Sequence, residues 1–74
     1  MEEQIKQILA DILELDGSYI DETFSQENVD AWDSLNHINI CSALEQEFDI
    51  TFDVSEIETM TSYLDILMTV QLKI

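Results

Sequence analysis

Hydrophobic residues recur at helical spacing in two long stretches of the chain. From Ile5 onward, apolar positions three and four residues apart predict an amphipathic helix over about residues 2–15. Gly17, the only glycine, is predicted to cap its C-terminus. A second such pattern predicts a helix over about residues 34–48. The positions expected to face inward on that helix are His37, Ile40, Cys41, Leu44 and Phe48.

Two shorter helical segments follow. Ser55 is predicted to begin a short third helix, whose inward positions are Val54, Ile57 and Met60. Ser62, with an acid three residues later, resembles a capping box and predicts the start of a last helix. The inward positions expected on that last helix are Tyr63, Ile66, Leu67, Val70 and Ile74. Much of its remaining surface is apolar as well.

Residues 18–33, between the first two helices, show neither helical nor strand periodicity. A connection this long is usually functional or disordered. Apolar residues recur along it, which indicates an ordered loop held against the helices: Tyr19, Ile20, Phe24, Val29 and Trp32. Residues 16–27 also have the length of an EF-hand loop. Ile20 and Asp21 stand where an oxygen ligand and the turn glycine are needed, so a calcium sensor is not predicted.

Length and charge limit the classes of protein. The 74 residues, 46% of them hydrophobic, suffice for one small domain with a core over residues 1–74. The net charge of −15 disfavours nucleic acid and anionic membranes and favours basic protein surfaces. Self-repulsion among the acids also predicts that salt stabilises the fold.

Cysteine and targeting signals are sparse. Cys41 is the only cysteine, so no intramolecular disulfide is possible, no cysteine-based zinc site is suggested, and no metal site is predicted. The N-terminal residues lack the features of a secretory signal, and no apolar run has membrane-spanning length. We therefore expect a cytoplasmic monomer that is not inserted in a membrane.

Asp33 and Ser34 open the second predicted helix. Asp33 is a favourable N-cap, which places Ser34 at the first helical position. A serine there presents its hydroxyl at the positive end of the helix dipole, where an attached phosphate is favoured. Asp-Ser pairs open many helices, however, so a capping role alone would explain the dipeptide.

The wider context resembles the acyl carrier protein family. Asp33-Ser34-Leu35, followed by Ala-Leu-Glu-Gln-Glu-Phe at residues 43–48, matches the family over essentially the whole chain. The resemblance implies a small antiparallel four-helix bundle, all-α, with a short third helix and a long ordered first loop. It also implies a 4′-phosphopantetheine arm, which a magnesium-dependent phosphopantetheinyl transferase moves from coenzyme A onto Ser34 with the assistance of Asp33. The arm's thiol would hold acyl groups as thioesters for enzymes of fatty-acid, polyketide-like or other specialised biosynthesis.

The helix face that carries Ser34 is a predicted partner surface. Exposed apolar residues among acids suit transient docking of transferases and of acyl-loading or acyl-transferring enzymes with basic surfaces. The residues of this predicted surface are Leu35, Asn36, Ile38, Asn39, Ser42 and Glu45. Leu35 and Ile38 could instead pack under the preceding loop, an alternative that applies more to Leu35 than to Ile38. By resemblance, the candidates for contacting the acyl chain are Leu44, Ile50, Phe52, Ile57 and Met60, although ordinary core packing explains any single one more simply.

Some residues depart from the commonest form of the family. Asn36 and Asn39 stand where fatty-acid-synthesis carriers usually have acids. Trp32 and residues 36–38 look more like discrete carriers of specialised pathways. Aminoacyl and peptidyl carriers usually have a Gly-Gly-(His/Asp)-Ser-Leu signature, which residues 31–35 do not match.

Two other classes of function remain as alternatives. Ser34 and His37 lie three residues apart and could meet as nucleophile and base. So small a helical chain offers no evident oxyanion hole or cleft, so we do not predict an enzyme. The second alternative is a small acidic helical interaction or mimic protein without a prosthetic group, in which Ser34 only neighbours a cap.

Overall fold

The structure is a computed structural model that describes residues 1–74 and contains four α-helices. They are α1 (Glu2–Leu13), α2 (Ser34–Phe48), α3 (Val54–Thr59) and α4 (Tyr63–Lys73). The Gln4 side chain donates to the Glu47 carboxylate at 3.0 Å, so the start of α1 lies beside the end of α2 and these helices are antiparallel. The predicted all-α bundle with a short third helix is confirmed.

Fifteen residues are buried, all of them hydrophobic. The helices supply most of this core, and the long loop between α1 and α2 supplies Ile20, Phe24 and Trp32. A small domain has little apolar area to bury, so these three side chains contribute a substantial share of its stability. The other buried residues are Ile5, Leu9, Ala10, Leu13, Ile40, Cys41, Leu44, Phe52, Met60, Tyr63, Ile66 and Val70.

The loop between α1 and α2 is ordered, as predicted. It contains two short 3₁₀ turns, Gly17–Tyr19 and Gln26–Asn28. The Gln26 N–H donates to the Thr61 carbonyl at 2.8 Å, and the Tyr63 N–H donates to the Phe24 carbonyl at 2.9 Å. These bonds fasten the loop to the segment that opens α4. Tyr19 was expected to anchor the loop, but its side chain is 68% exposed, so that expectation is wrong.

The end of α1 differs from the prediction. Glu14, not Gly17, ends the helix in the left-handed conformation with φ of 57°. The Leu15 N–H donates to the Ala10 carbonyl at 3.0 Å, which completes a Schellman motif whose apolar residue packs on the core. Gly17 instead begins a 3₁₀ turn capped by Asp16. The burial of Leu15 thus outweighs the small cost of a non-glycine left-handed residue.

The start of α3 also differs. Asp53, not Ser55, is the N-cap, and its carboxylate accepts from the Glu56 N–H at 2.8 Å. The Glu56 side chain accepts in return from the Asp53 N–H at 3.0 Å, which forms a full capping box. The earlier start turns Val54 outward, where it is 71% exposed. Ile57 and Met60 face the core as predicted.

The last helix, α4, begins at the predicted cap. The Ser62 hydroxyl accepts from the Asp65 N–H at 3.1 Å. Ile74, predicted to point inward, lies beyond the last helical residue and is 62% exposed. Three apolar side chains on α4 are exposed as well: Leu64, Met68 and Leu72. None of the helices is both long and apolar enough to span a bilayer.

Candidate functional site

Asp33 begins α2 as predicted. Its Oδ1 accepts from the Asn36 N–H at 2.9 Å, and its carbonyl accepts from the His37 N–H at 2.8 Å. The carboxylate is exposed, and only one of its oxygens is used by the cap. Asp33 therefore fixes where the helix starts and retains an oxygen that can contact a partner.

Ser34 is the first helical residue and is exposed. Its hydroxyl forms no hydrogen bond within the chain, and the N–H groups of Ser34 and Leu35 have no internal acceptor. Unpaired N–H groups at a helix N-terminus favour an anion. A phosphate ester on this hydroxyl thus meets no steric or hydrogen-bonding obstacle from the chain and lies at the positive end of α2.

The turn before Ser34 is held to the first turn of α2. The Asn36 side-chain amide donates to the Ala31 carbonyl at 2.8 Å across the Asp33–Ser34 pair. Asn36, predicted to contact partners, is therefore half-buried and has a structural contact on its donor side. The Asn39 side-chain NH₂ donates to the side-chain Oδ1 of Asn36 at 3.4 Å, which places these two amides together on one edge of the helix.

His37 joins three segments of the fold. Its Nδ1 accepts from the Trp32 indole N–H at 3.0 Å, and its Nε2 lies 2.6 Å from the Ile57 carbonyl. Because the carbonyl can only accept, the proton of a neutral ring lies on Nε2. The Trp32 ring also stacks on Phe24, with centroids 5.8 Å apart. His37 thus links the loop, α2 and α3, and neither of its ring nitrogens is free to act as a base toward Ser34.

The outer face of α2 carries the predicted partner residues. Leu35 is 70% exposed and Ile38 is 58% exposed, so the alternative in which Leu35 packs under the loop is wrong. Asn39 and Ser42 are exposed too. The Glu45 carboxylate, however, accepts from the Phe52 N–H at 2.8 Å and so holds the segment between α2 and α3.

The five residues expected to contact an acyl chain all belong to the core or pack on it. Leu44, Phe52 and Met60 are buried, while Ile50 and Ile57 are partly buried and pack against the core. None of the three surface cavities is lined by any of these five residues. This region is a packed core in the structure.

Cys41 lies on the buried side of α2 and does not belong to the site. Burial, together with the nearby Glu45 charge, raises the pKa of its thiol to about 11. A thiol with so high a pKa is a poor nucleophile at neutral pH. No group of three or more His, Cys, Asp or Glu side chains is placed to hold a metal ion.

The geometry defines a small helical bundle that presents an exposed serine at the N-terminus of its second helix. Residues 3–67 match a family model described as a phosphopantetheine attachment site. The polyketide-8 synthase acyl carrier protein 1 of Streptomyces avermitilis is 41% identical over 61 residues, which cover 81% of this chain and 71% of that protein. The chain belongs to the acyl carrier protein family and functions as a carrier that bears covalent 4′-phosphopantetheine. These matches do not favour the alternative of an acidic mimic without a prosthetic group.

The residues present fit this prosthetic group. When bound, it supplies a thiol that holds acyl groups as thioesters. The chain offers an unbonded hydroxyl for attachment at Ser34 and free helix N–H groups beside it. The carboxylate of Asp33, next to the serine, would repel a phosphate, but its Oδ1 is neutralised in part by the helix N–H that it caps.

The His37 linkage was not predicted from the sequence. Trp32 and His37 lie five residues apart on either side of the Asp-Ser pair, which is the only signal that the sequence contains. The third partner is a backbone carbonyl 20 residues away, and a carbonyl has no signature in a sequence.

Proposed function

We propose that Ser34 is the attachment residue and that residues 1–74 form a single carrier domain. The observation that supports this most is the exposed Ser34 hydroxyl, free of internal hydrogen bonds, at the first position of α2. The arm attached there would carry acyl groups between enzymes. Because the cargo is tethered to the arm and the arm to the carrier, docking of the carrier on an enzyme raises the effective concentration of the cargo at the active site.

In this proposal Asp33 has two roles. Its Oδ1 caps α2 and so positions Ser34, while its second oxygen is available to the magnesium-dependent transferase that installs the arm. The separation of these roles is supported by the hydrogen bonds of Asp33, because only one of its two carboxylate oxygens accepts a bond from the chain.

Partner enzymes dock, in this proposal, on the outer face of α2. Leu35 and Ile38 form a small exposed apolar contact, and Asn39 and Ser42 lie beside them. The net charge of −15 steers enzymes with basic surfaces toward the carrier and disfavours nucleic acid and anionic membranes as partners. In this proposal the carrier acts as a monomer. It performs no catalysis itself, which is supported by the engagement of both His37 nitrogens away from Ser34.

The proposed setting is polyketide-like or other specialised acyl transfer. The name of the Streptomyces avermitilis relative supports this, as do Asn36 and Asn39 in place of the acids usual in fatty-acid-synthesis carriers. The five core residues beneath α2 and α3 stay candidates for contact with the cargo if the core opens.

The decisive experiment is intact mass after incubation with coenzyme A, magnesium and a broad-specificity phosphopantetheinyl transferase. We expect the wild type to gain one phosphopantetheine and Ser34→Ala to gain none. Circular dichroism of both proteins checks that Ser34→Ala is folded. A gain on Ser34→Ala would place the arm elsewhere, and no gain on folded wild type would refute the assignment.

A further inference from the structure

Two polar contacts attach the short helix α3 to its neighbours. No residue within Val54–Thr59 is fully buried, so this helix contributes little apolar area to the core. Its Glu56 side chain forms an ion pair with Lys73 of α4 at 2.8 Å. Its last turn is joined to α2 by the bond between Nε2 of His37 and the Ile57 carbonyl. The position of α3 therefore depends strongly on these two contacts.

The His37 bond satisfies a carbonyl that has no other donor nearby along the chain. Ile57 lies in the last turn of α3, where helix carbonyls lack a partner within the helix. The N–H groups three and four residues later donate to the Glu56 and Thr59 carbonyls instead. Loss of the His37 bond would leave a partly buried acceptor unpaired, which is unfavourable. The bond therefore stabilises the position in which α3 lies against α2.

The residues expected to contact an acyl chain surround α3 along the sequence. We call them the acyl subsite: Leu44 on α2, Ile50 and Phe52 before α3, Ile57 on α3, and Met60 directly after it. All five belong to the core or pack on it, and no surface cavity reaches any of them. Entry of an acyl chain therefore requires the core to open at α3, the helix that burial holds least.

His37 lies between Ser34 and the acyl subsite. It follows Ser34 by three residues on α2, so their side chains are neighbours on the helix surface, with Cβ atoms about 5–6 Å apart. Ser34 is exposed, whereas His37 is half-buried and its ring contacts α3. A chain that passes from Ser34 toward Ile57 thus meets the imidazole first.

We propose that the bond between His37 and the Ile57 carbonyl holds the acyl subsite closed, which makes His37 a specificity-determining residue of the carrier. An acyl chain enters only when its apolar length compensates for the broken bond, and shorter chains stay exposed on the arm. This inference rests on the proposed attachment at Ser34 and on the predicted acyl subsite.

The bond sets a minimum length for an enclosed chain. Each methylene removed from water favours burial about fourfold. Loss of a hydrogen bond to a partly buried carbonyl disfavours the open form by about tenfold. The bond to Ile57 therefore lengthens the shortest chain that the subsite encloses by about two carbons.

The test compares acyl chains of different length on the same arm. A broad-specificity transferase attaches butyryl-, hexanoyl-, octanoyl- or decanoyl-phosphopantetheine from the corresponding coenzyme A thioester. Amide ¹H–¹⁵N spectra of each loaded form are compared with those of the free-thiol form, and long-range ¹H–¹⁵N spectra report the His37 ring. We expect chains above a threshold length to shift the amides of Phe52, Ile57 and Met60 together with the Nε2 resonance of His37. Shorter chains should leave all of these at their free-thiol positions.

Two substitutions of His37 separate its two bonds. The amide of asparagine takes the place of Nδ1, so His37→Asn can accept from the Trp32 N–H but does not reach the Ile57 carbonyl. The amide of glutamine takes the place of Nε2, so His37→Gln keeps a donor to that carbonyl and loses the acceptor for Trp32. Circular dichroism checks that both variants are folded. We expect His37→Asn to enclose chains about two carbons shorter than the wild type does, and His37→Gln to keep the wild-type threshold.

Several results would overturn the inference. An equal threshold in all three proteins would show that the bond does not close the subsite, and an equally lowered threshold in both variants would show a general loosening of the fold. Subsite shifts without a change at the His37 ring, enclosure of butyryl by the wild type, or no subsite shift with any chain in any protein would overturn it too.

Two further results have their own meaning. If His37→Asn does not fold, the wild type decides, because the subsite amides and the His37 ring must respond at the same chain length. Intact mass showing that no arm was attached to folded wild type would refute the proposed function, and this inference with it.

Discussion

The Trp32 indole N–H donates to Nδ1 of His37 at 3.0 Å, which joins the loop before Ser34 to the helix that Ser34 opens. Since Nε2 of the same ring lies 2.6 Å from the Ile57 carbonyl, α3 belongs to this linkage as well. One imidazole thus positions three segments around Ser34, the proposed attachment residue. The turn carrying Ser34 is supported from the core side, while its outer side is left open to partners.

Replacement of His37 should destabilise the fold. His37→Phe leaves the Trp32 N–H and the Ile57 carbonyl without their partner, and we expect a loss of about 2 kcal/mol in the free energy of unfolding. Urea denaturation followed by circular dichroism measures it. Asn39→Ala is the matched control on α2, because Asn39 is exposed and its one hydrogen bond is long at 3.4 Å. Equal stabilities for His37→Phe and this control would contradict the structural role.

Two substitutions of Asp33 separate capping from assistance to the transferase. Asp33→Ala removes the cap and should cost about 1 kcal/mol of stability. Asp33→Asn keeps a capping oxygen but loses the charge, so it should retain wild-type stability while its rate of modification falls. Urea unfolding and timed intact mass give the two readings. A wild-type modification rate for Asp33→Asn would limit the role of Asp33 to capping.

A charge introduced on the outer face of α2 should weaken docking and spare the fold. Ile38→Asp and Leu35→Asp alter side chains that are more than half exposed, so helicity should change little. We expect both to raise the KM of the transferase for the carrier. Leu72→Asp adds the same charge on α4 and serves as the control. If Ile38→Asp unfolds the protein, the residue supports the core rather than a partner surface.

Cys41 should resist alkylation until the chain unfolds. With a pKa of about 11, about one thiol in a thousand is ionised at pH 8, and the side chain is buried as well. Because the thiolate fraction rises with pH toward that pKa, slow labelling should accelerate between pH 8 and pH 10. Mass spectrometry after iodoacetamide treatment, with and without urea, measures this. Rapid labelling of the folded protein at pH 7 would contradict it.

Salt should stabilise the fold. The 17 acids face only two lysines, and screening weakens their mutual repulsion more in the compact state than in the unfolded chain. We expect the melting temperature to rise between low and moderate sodium chloride, by roughly 4–8 °C for each kcal/mol gained. Differential scanning calorimetry at fixed pH records it. An unchanged melting temperature would show that repulsion contributes little.

The helices and the site motif could be predicted because each depends on local signals. Side-chain periodicity located α1, α2 and α4, and the capping preferences of Asp33 and Ser62 marked where two of them begin. The predicted caps Gly17 and Ser55 were wrong since a competing residue formed the better local structure. Glu14 allowed Leu15 to pack on the core, and Asp53 formed a reciprocal pair with Glu56.

The surroundings of the site were harder to predict because they depend on tertiary contacts. The burial of Trp32 and the two bonds of His37 require a loop, a helix and a distant carbonyl to meet. The helical position of Glu45 predicts a surface acid, yet its carboxylate accepts from the Phe52 N–H. A groove lined by Leu15, Phe24 and Ala31 combines residues that follow α1 with residues of the loop, and no periodic pattern connects them.

The positions of the two lysines have a consequence for the lifetime of the cargo. A thioester is susceptible to aminolysis, in which an uncharged primary amine attacks the acyl carbon and captures the group as an amide. Lys6 lies 5.6 Å from the Tyr63 ring centroid, and Lys73 is held by Glu56 and lies over Phe52. These contacts hold both amines against other side chains of the bundle, and the chain contains no third lysine. Capture of the cargo by a lysine of the carrier itself is therefore disfavoured by geometry, and water and the enzymes that the carrier visits govern the decay of the loaded state.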